Sequence, residues 1–185
     1  MRELGPTELK RLHRDWRRRT EGRLSLVLDG VQGPFNVGAI IRSAAAYRLD
    51  TLWVTATATG PDNPKVGKTA LGTERFFTTI DVATAEEAIA DAREAGYRVA
   101  GLELAEGARA MHQVDLGPDL CLVVGNEDHG ISKGGLAACD ELVFLPQLGK
   151  VGSLNVATAT SIAIYEWARQ RWTAPGSRDA GSSGI

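Results

Sequence analysis

A chain of 185 residues with 43% hydrophobic and 24% charged side chains suits one domain, which at this size buries about 70% of its unfolded surface. No run of about 18 apolar residues occurs to span a membrane, and the charged start from Arg2 onward lacks the apolar core of a secretory signal, so a cytoplasmic protein is expected. The net charge of −2 is uneven: residues 1–23 hold eight Lys/Arg against four acids, net +4, which leaves −6 for the remainder.

That basic segment comes first. Leu4, Leu9, Leu12 and Trp16 recur on it at roughly helical spacing. Residues 1–23 are therefore expected to form a helical arm. It is either docked with a solvated charged face, or set against phosphates with Trp16 as a packing anchor or stacking surface.

From residue 24 onward short apolar runs alternate with helical patterns. LSLVLDG (24–30), TLWVTA (51–56), FFTTID (76–81), YRVAGLEL (97–104), LCLVVGNE (120–127) and ELVFLP (141–146) read as strands. Their nearly continuous apolar character is that of a parallel sheet covered on both faces. The segments 36–49, 84–96, 132–140 and 153–172 read as helices, with Thr84 and Glu87 forming a capping box and Gly96 a stop. The alternation predicts an α/β fold with a mainly parallel sheet between helices. Two Gly-, Pro- or Asp-rich stretches, 57–75 and 105–119, read as long loops, and residues 173–185 have the composition of a disordered tail. Cys121 and Cys139 stand in no CxxC or His/Cys cluster, so reduced thiols are expected.

Ligands of open α/β sheets bind beyond the carboxyl ends of the strands. Three such turns are dense in glycine and polar residues: DGVQGPFNVG (29–38), GNEDHGIS (125–132) and PQLGKVGSLN (146–155). In the first, Asn36 can cap a helix, Gly38 permits close approach, and Arg42 can fix a phosphate or carboxylate. In the second, Glu127 can pair Arg42 or orient a sugar hydroxyl; His129 is a candidate general base, more simply read as an exposed loop residue. In the third, Gly152-Ser153-Leu154-Asn155 opens a helix with free amides, followed by small residues that allow tight packing. Known alternatives fail. There is no GxxxxGK[ST], no GxGxxG after the first strand, and no GxSxG elbow around Ser153. Glu127, Asp128 and His129 have no further spaced ligands, so no metal is expected.

Taken in order, NVGAIIRSA (36–44), VVGNEDHGIS (123–132) and LPQLGKVGSLNVATA (145–159) resemble the three motifs of the SpoU family of RNA ribose 2′-O-methyltransferases, within the SPOUT superfamily. The resemblance covers about 24–172, which sets the expected domains: a basic arm (1–23), a methyltransferase domain (24–172) and a tail (173–185). It implies a C-terminal deep trefoil knot, a homodimer, and S-adenosylmethionine bound near Leu102 (by strand position), Gly125, Leu145, Ser153 and Leu154. It also implies a catalytic set of Arg42, Asn36, Glu127, Ser153 and Asn155. Arginine is normally protonated, so Arg42 is expected to clamp the target phosphate and stabilise a developing alkoxide, held by Glu127, with Asn36 orienting Arg42 or the ribose. The expected partner is RNA, met by the 1–23 arm with Lys65, Lys68, Arg75 and Lys150. A single catalytic domain with a short basic helix favours transfer RNA over ribosomal RNA. The rival readings are a non-catalytic knotted RNA-binding protein and a flavodoxin-like nucleotide binder, which would need a better phosphate loop than DGVQGPFN.

Overall fold

A computed structural model describes residues 2–172; the tail expected to be disordered, 173–185, lies outside the described residues. After a helix, α1 (Pro6–Arg19), the chain lays down β1 (Leu24–Asp29), α2 (Pro34–Ala46), β2 (Leu49–Thr55), α3 (Pro64–Ala70), β3 (Thr78–Val82) and α4 (Ala85–Glu94). It continues with β4 (Arg98–Leu102), β5 (Arg109–Ala110), β6 (Leu120–Gly125), α5 (Lys133–Ala138), β7 (Glu141–Phe144) and α6 (Val156–Arg171). The seven strands form one sheet in the order β3-β2-β1-β6-β4-β7-β5, parallel throughout.

The two central strands, β1 and β6, are buried at every position, which explains why their sequences carry no polar alternation. Their side chains divide by parity between two cores. Leu26, Leu28, Leu122 and Val124 join Ile40, Ile41, Ile164 and Trp167 of α2 and α6 on one face. Val27, Cys121 and Val123 join Trp53, Ile89, Tyr97 and Ile131 on the face covered by α4 and α5. Burial pushes the Cys121 thiol up, and takes Cys139 up to about 12, and both cysteines are free. Among the described residues no helix is long and apolar enough to cross a membrane.

Local chemistry sets the helix ends. Thr84 accepts from the Glu87 amide and caps α4, while Glu87 reaches back to the amide of Ala83, one residue before the predicted partner. Asn36 does not cap α2: Gly33 occupies the cap and Pro34 the first turn, leaving Asn36 inside the helix with its side chain free for other bonds. The last helix begins at Val156, not at Ser153, because the Asn155 side chain accepts from the amides of Ala157 and Thr158. Both long stretches read as loops contain structure, α3 in one and β5 in the other.

The arm is a helix, as expected, with no buried residue. Leu9, Leu12 and Trp16 form a half-exposed apolar stripe, and Trp16 packs on Trp172 at the end of α6 with ring centroids 5.0 Å apart. Thr20 and Trp172 also share an antiparallel bridge. Trp16 is thus an anchor to the body.

Candidate active site

Parallel register brings Asp29, Gly125, Leu102 and Phe144, the last residues of β1, β6, β4 and β7, to one edge of the sheet. The turns beyond β4, β6 and β7 enclose a cavity of about 640 Å³. All five residues expected to touch a cofactor, Leu102, Gly125, Leu145, Ser153 and Leu154, line it. So do Glu127 and Asn155 of the expected catalytic set.

At the end of β6 its wall is backbone, for a steric reason. A Cβ on Gly125 would lie 2.1 Å from the carbonyl carbon of Gly130 and the amide of Ile131, so only glycine lets the 126–131 turn fold back over the end of β6. Asn126 closes that turn. Its Oδ1 accepts from the amides of Asp128 (2.9 Å) and His129 (3.2 Å), and its Nδ2 donates to Gly30 O at 2.7 Å, tying the turn to β1. His129 sits at the exposed tip of the turn.

A hydrogen-bonded chain links the three motifs. Asn36 donates to Glu127 Oε1 at 2.8 Å and accepts from Asn155 Nδ2 at 2.9 Å. The amides of Gln32 (3.1 Å) and Gly33 (2.9 Å) also donate to Glu127. Burial works to raise the Glu127 carboxyl, but the bonds from Asn36 and these amides outweigh it and hold it below the usual carboxylate range.

Arg42 departs from expectation. It lies about 120° round α2 from Asn36, is exposed and not half-buried, and stands outside the cavity lining. It has no hydrogen bond or ion pair among the described residues, so Glu127 does not hold it: the helix-start amides and Asn36 saturate that carboxylate instead.

Sequence reasoning missed two site residues. Asn126 lies inside the GNEDHGIS turn, but nothing in the sequence marks its side chain as the group that closes it. Glu103 follows β4 directly, where the carboxyl-end rule points, yet no motif marks it; it lines the cavity and accepts from Ile131 N at 3.0 Å. Among the described residues no Lys or Arg lines the cavity, whose ionisable side chains are Glu103, Glu127, Asp128 and His129. An acidic cavity of this size fits a nucleoside that carries positive charge and repels phosphates. No group of three His, Cys, Asp or Glu able to hold a metal ion occurs among the described residues.

A parallel, helix-sandwiched sheet with a cavity beyond its carboxyl edge defines an α/β architecture of the kind that binds ligands at its strand ends. Within that class the chain belongs to the SpoU rRNA Methylase family, whose profile matches residues 23–165. It is 35% identical over 152 residues to the 23S rRNA (guanosine-2′-O-)-methyltransferase RlmB of Xanthomonas campestris, a match covering 82% of this chain and 61% of that protein. The chain thus spans about three fifths of the length of that relative. The SpoU methyltransferase AviRb of Streptomyces viridochromogenes, solved with the cofactor AdoMet, is similar at a TM-score of 0.73 and 30% identity, over 82% of this chain and 58% of that one. The TrmH/SpoU tRNA modifying enzyme of A. aeolicus is similar at a TM-score of 0.71 and 26% identity, over 88% of this chain and 84% of that one.

Proposed function

We propose that this protein transfers a methyl group from S-adenosylmethionine to a ribose 2′-hydroxyl of RNA. The observation that carries the reading is the cavity beyond β4, β6 and β7, lined by residues of two of the family's motifs and, among the described residues, by no Lys or Arg. AviRb bound to AdoMet, with the same fold, supports it. When bound, the cofactor would supply an electrophilic methyl for the ribose oxygen, keeping the C–S electron pair as a neutral thioether while the hydroxyl proton passes to solvent.

The residues then divide the work. Leu102, Gly125, Leu145, Ser153 and Leu154 hold the cofactor. Glu127 locks Asn36, and Asn36 in turn holds Asn155, which lines the cavity and orients the ribose. Holding the reacting atoms in line supplies several kcal/mol of the barrier. Arg42, unpaired among the described residues, is free to take the phosphate next to the target ribose.

RNA is met by the cationic face of α1, with Lys65, Lys68, Arg75 and Lys150. Transfer RNA is the substrate we favour, supported by the likeness over 84% of the A. aeolicus tRNA modifying enzyme. The 23S rRNA activity in the name of the Xanthomonas relative supports ribosomal RNA as a second reading. Two copies pair, in our reading, through the exposed apolar side chains of Leu148, Val151, Leu154, Ile162 and Tyr165. The segment around α6 is threaded as the family's trefoil knot, supported by the return of α6 from beyond β7 to pack on β6 and α2. The free thiols fit a reducing cytoplasm.

Methyl-labelled S-adenosylmethionine, offered with unmodified transfer RNA and separately with protein-free ribosomal RNA, tests the proposal. Label is expected in alkali-resistant dinucleotides from one pool, because a 2′-O-methyl group blocks cleavage of the adjoining phosphodiester, and Arg42→Ala is expected to abolish it. Label in alkali-sensitive mononucleotides, or full turnover by Arg42→Ala, would contradict the scheme.

A further inference from the structure

We infer that Glu103 is the group that reads the positive charge of the cofactor and so separates it from its neutral product, an assignment that rests on the cavity being the cofactor site. Three carboxylates line that cavity, and two are otherwise engaged or remote. Glu127 is taken up by donors from residues 32–36, and Asp128 lies exposed in the turn. Glu103 is half-buried in the wall directly after β4. Its Oε1 accepts from the Leu104 amide at 3.1 Å and its Oε2 from the Ile131 amide at 3.0 Å. Each carboxylate oxygen offers two acceptor sites, so one remains on each.

Two amides therefore fix the carboxylate between the end of β4 and the 126–131 turn, and no Lys, Arg or His forms an ion pair with it among the described residues. A charge held rigidly in a concave, partly desolvated wall acts on a ligand more strongly than one in open water. S-adenosylmethionine carries a sulfonium and an ammonium against one carboxylate, net +1. S-adenosylhomocysteine has nearly the same shape and net charge zero. Glu103 thus favours entry of the methyl donor and departure of the spent product. A residue that only braced the turn would treat the two alike.

Calorimetric titration of the full chain and of Glu103→Gln with S-adenosylmethionine, S-adenosylhomocysteine and sinefungin, which bears an amine cation near the sulfur position, tests this. The wild type is expected to prefer the two cationic ligands, and Glu103→Gln to reduce that preference by roughly fivefold or more, fivefold being the size of one Coulomb contact at about 4 Å in water and so a lower bound for a partly desolvated wall. Glu103→Asp keeps the charge and is expected to keep the preference even where all affinities fall; it carries the test should the glutamine variant not fold. Equal weakening of all three ligands in Glu103→Gln, or collapse of the preference in Glu103→Asp, would overturn the assignment alone. Failure of the wild type to bind any of the three would overturn the cofactor reading, and this assignment with it.

Discussion

Asn36 in α2, Glu127 in the turn after β6 and Asn155 at the cap of α6 stand far apart in the chain and meet through hydrogen bonds of 2.8 and 2.9 Å. Each was legible as a site candidate from its motif. Their partners were not. Charge complementarity suggested Glu127 with Arg42, whereas the carboxylate is satisfied by the amides that open α2, which lie closer and lose no side-chain entropy in binding it. The bonds leave a measurable trace. The Glu127 carboxyl titrates below its ordinary value of 4.5 in the folded chain, so its contribution to stability is complete above that value and is lost as pH falls through the lower, folded one. The melting temperature of Glu127→Gln is expected below that of the wild type at neutral pH, with the gap narrowing as pH drops under 4.5, since a protonated Glu127 resembles the amide. A gap constant with pH in thermal melts would show that the carboxylate's charge is not what these donors hold.

Elements were legible where their apolar pattern was uninterrupted. Both central strands and the helices at 34–46 and 85–94 fall within a few residues of expectation. One departure is α3: its sequence PKVGKTA has the composition of a loop, and packing against α2 makes it a helix. Gly38 makes that packing possible. A Cβ there would lie 2.7 Å from Val66 O and from the Thr69 Cβ, so α2 and α3 could not approach as they do. Alanine would suit an isolated helix better than glycine, by about 1 kcal/mol. Overpacking costs about 1–3 kcal/mol, so Gly38→Ala is expected to destabilise the fold on balance, by roughly 1 kcal/mol in urea unfolding. Stabilisation would mean that α3 is not held where the structure places it. The shifted start of α6 has a different origin, since Ser153 and Asn155 are both good caps and only the observed bonds to Ala157 and Thr158 show which one acts.

At the scale of the molecule, one arrangement unites the parts. A parallel sheet gathers its strand ends on one edge, the glycine-bearing turns there form an acidic cavity, and the cations are concentrated elsewhere, in the 1–23 arm with its net charge of +4. Under the proposed function these opposite charges would serve two ligands, a cationic nucleoside inside and a polyanion outside. The fold class and the five expected cofactor residues were within reach of the sequence because they rest on apolar runs, strand ends and motif turns. The place of α1 was not, because its anchor is a contact between Trp16 and Trp172 that no local pattern encodes. The most direct test of the account is a crystal structure of the chain grown with S-adenosylmethionine. The account predicts the cofactor inside the cavity, its nucleoside against the backbone of Gly125, Leu145 and Leu154, and its methyl directed toward the mouth bordered by Asn155. A cofactor bound anywhere else on the chain would contradict it.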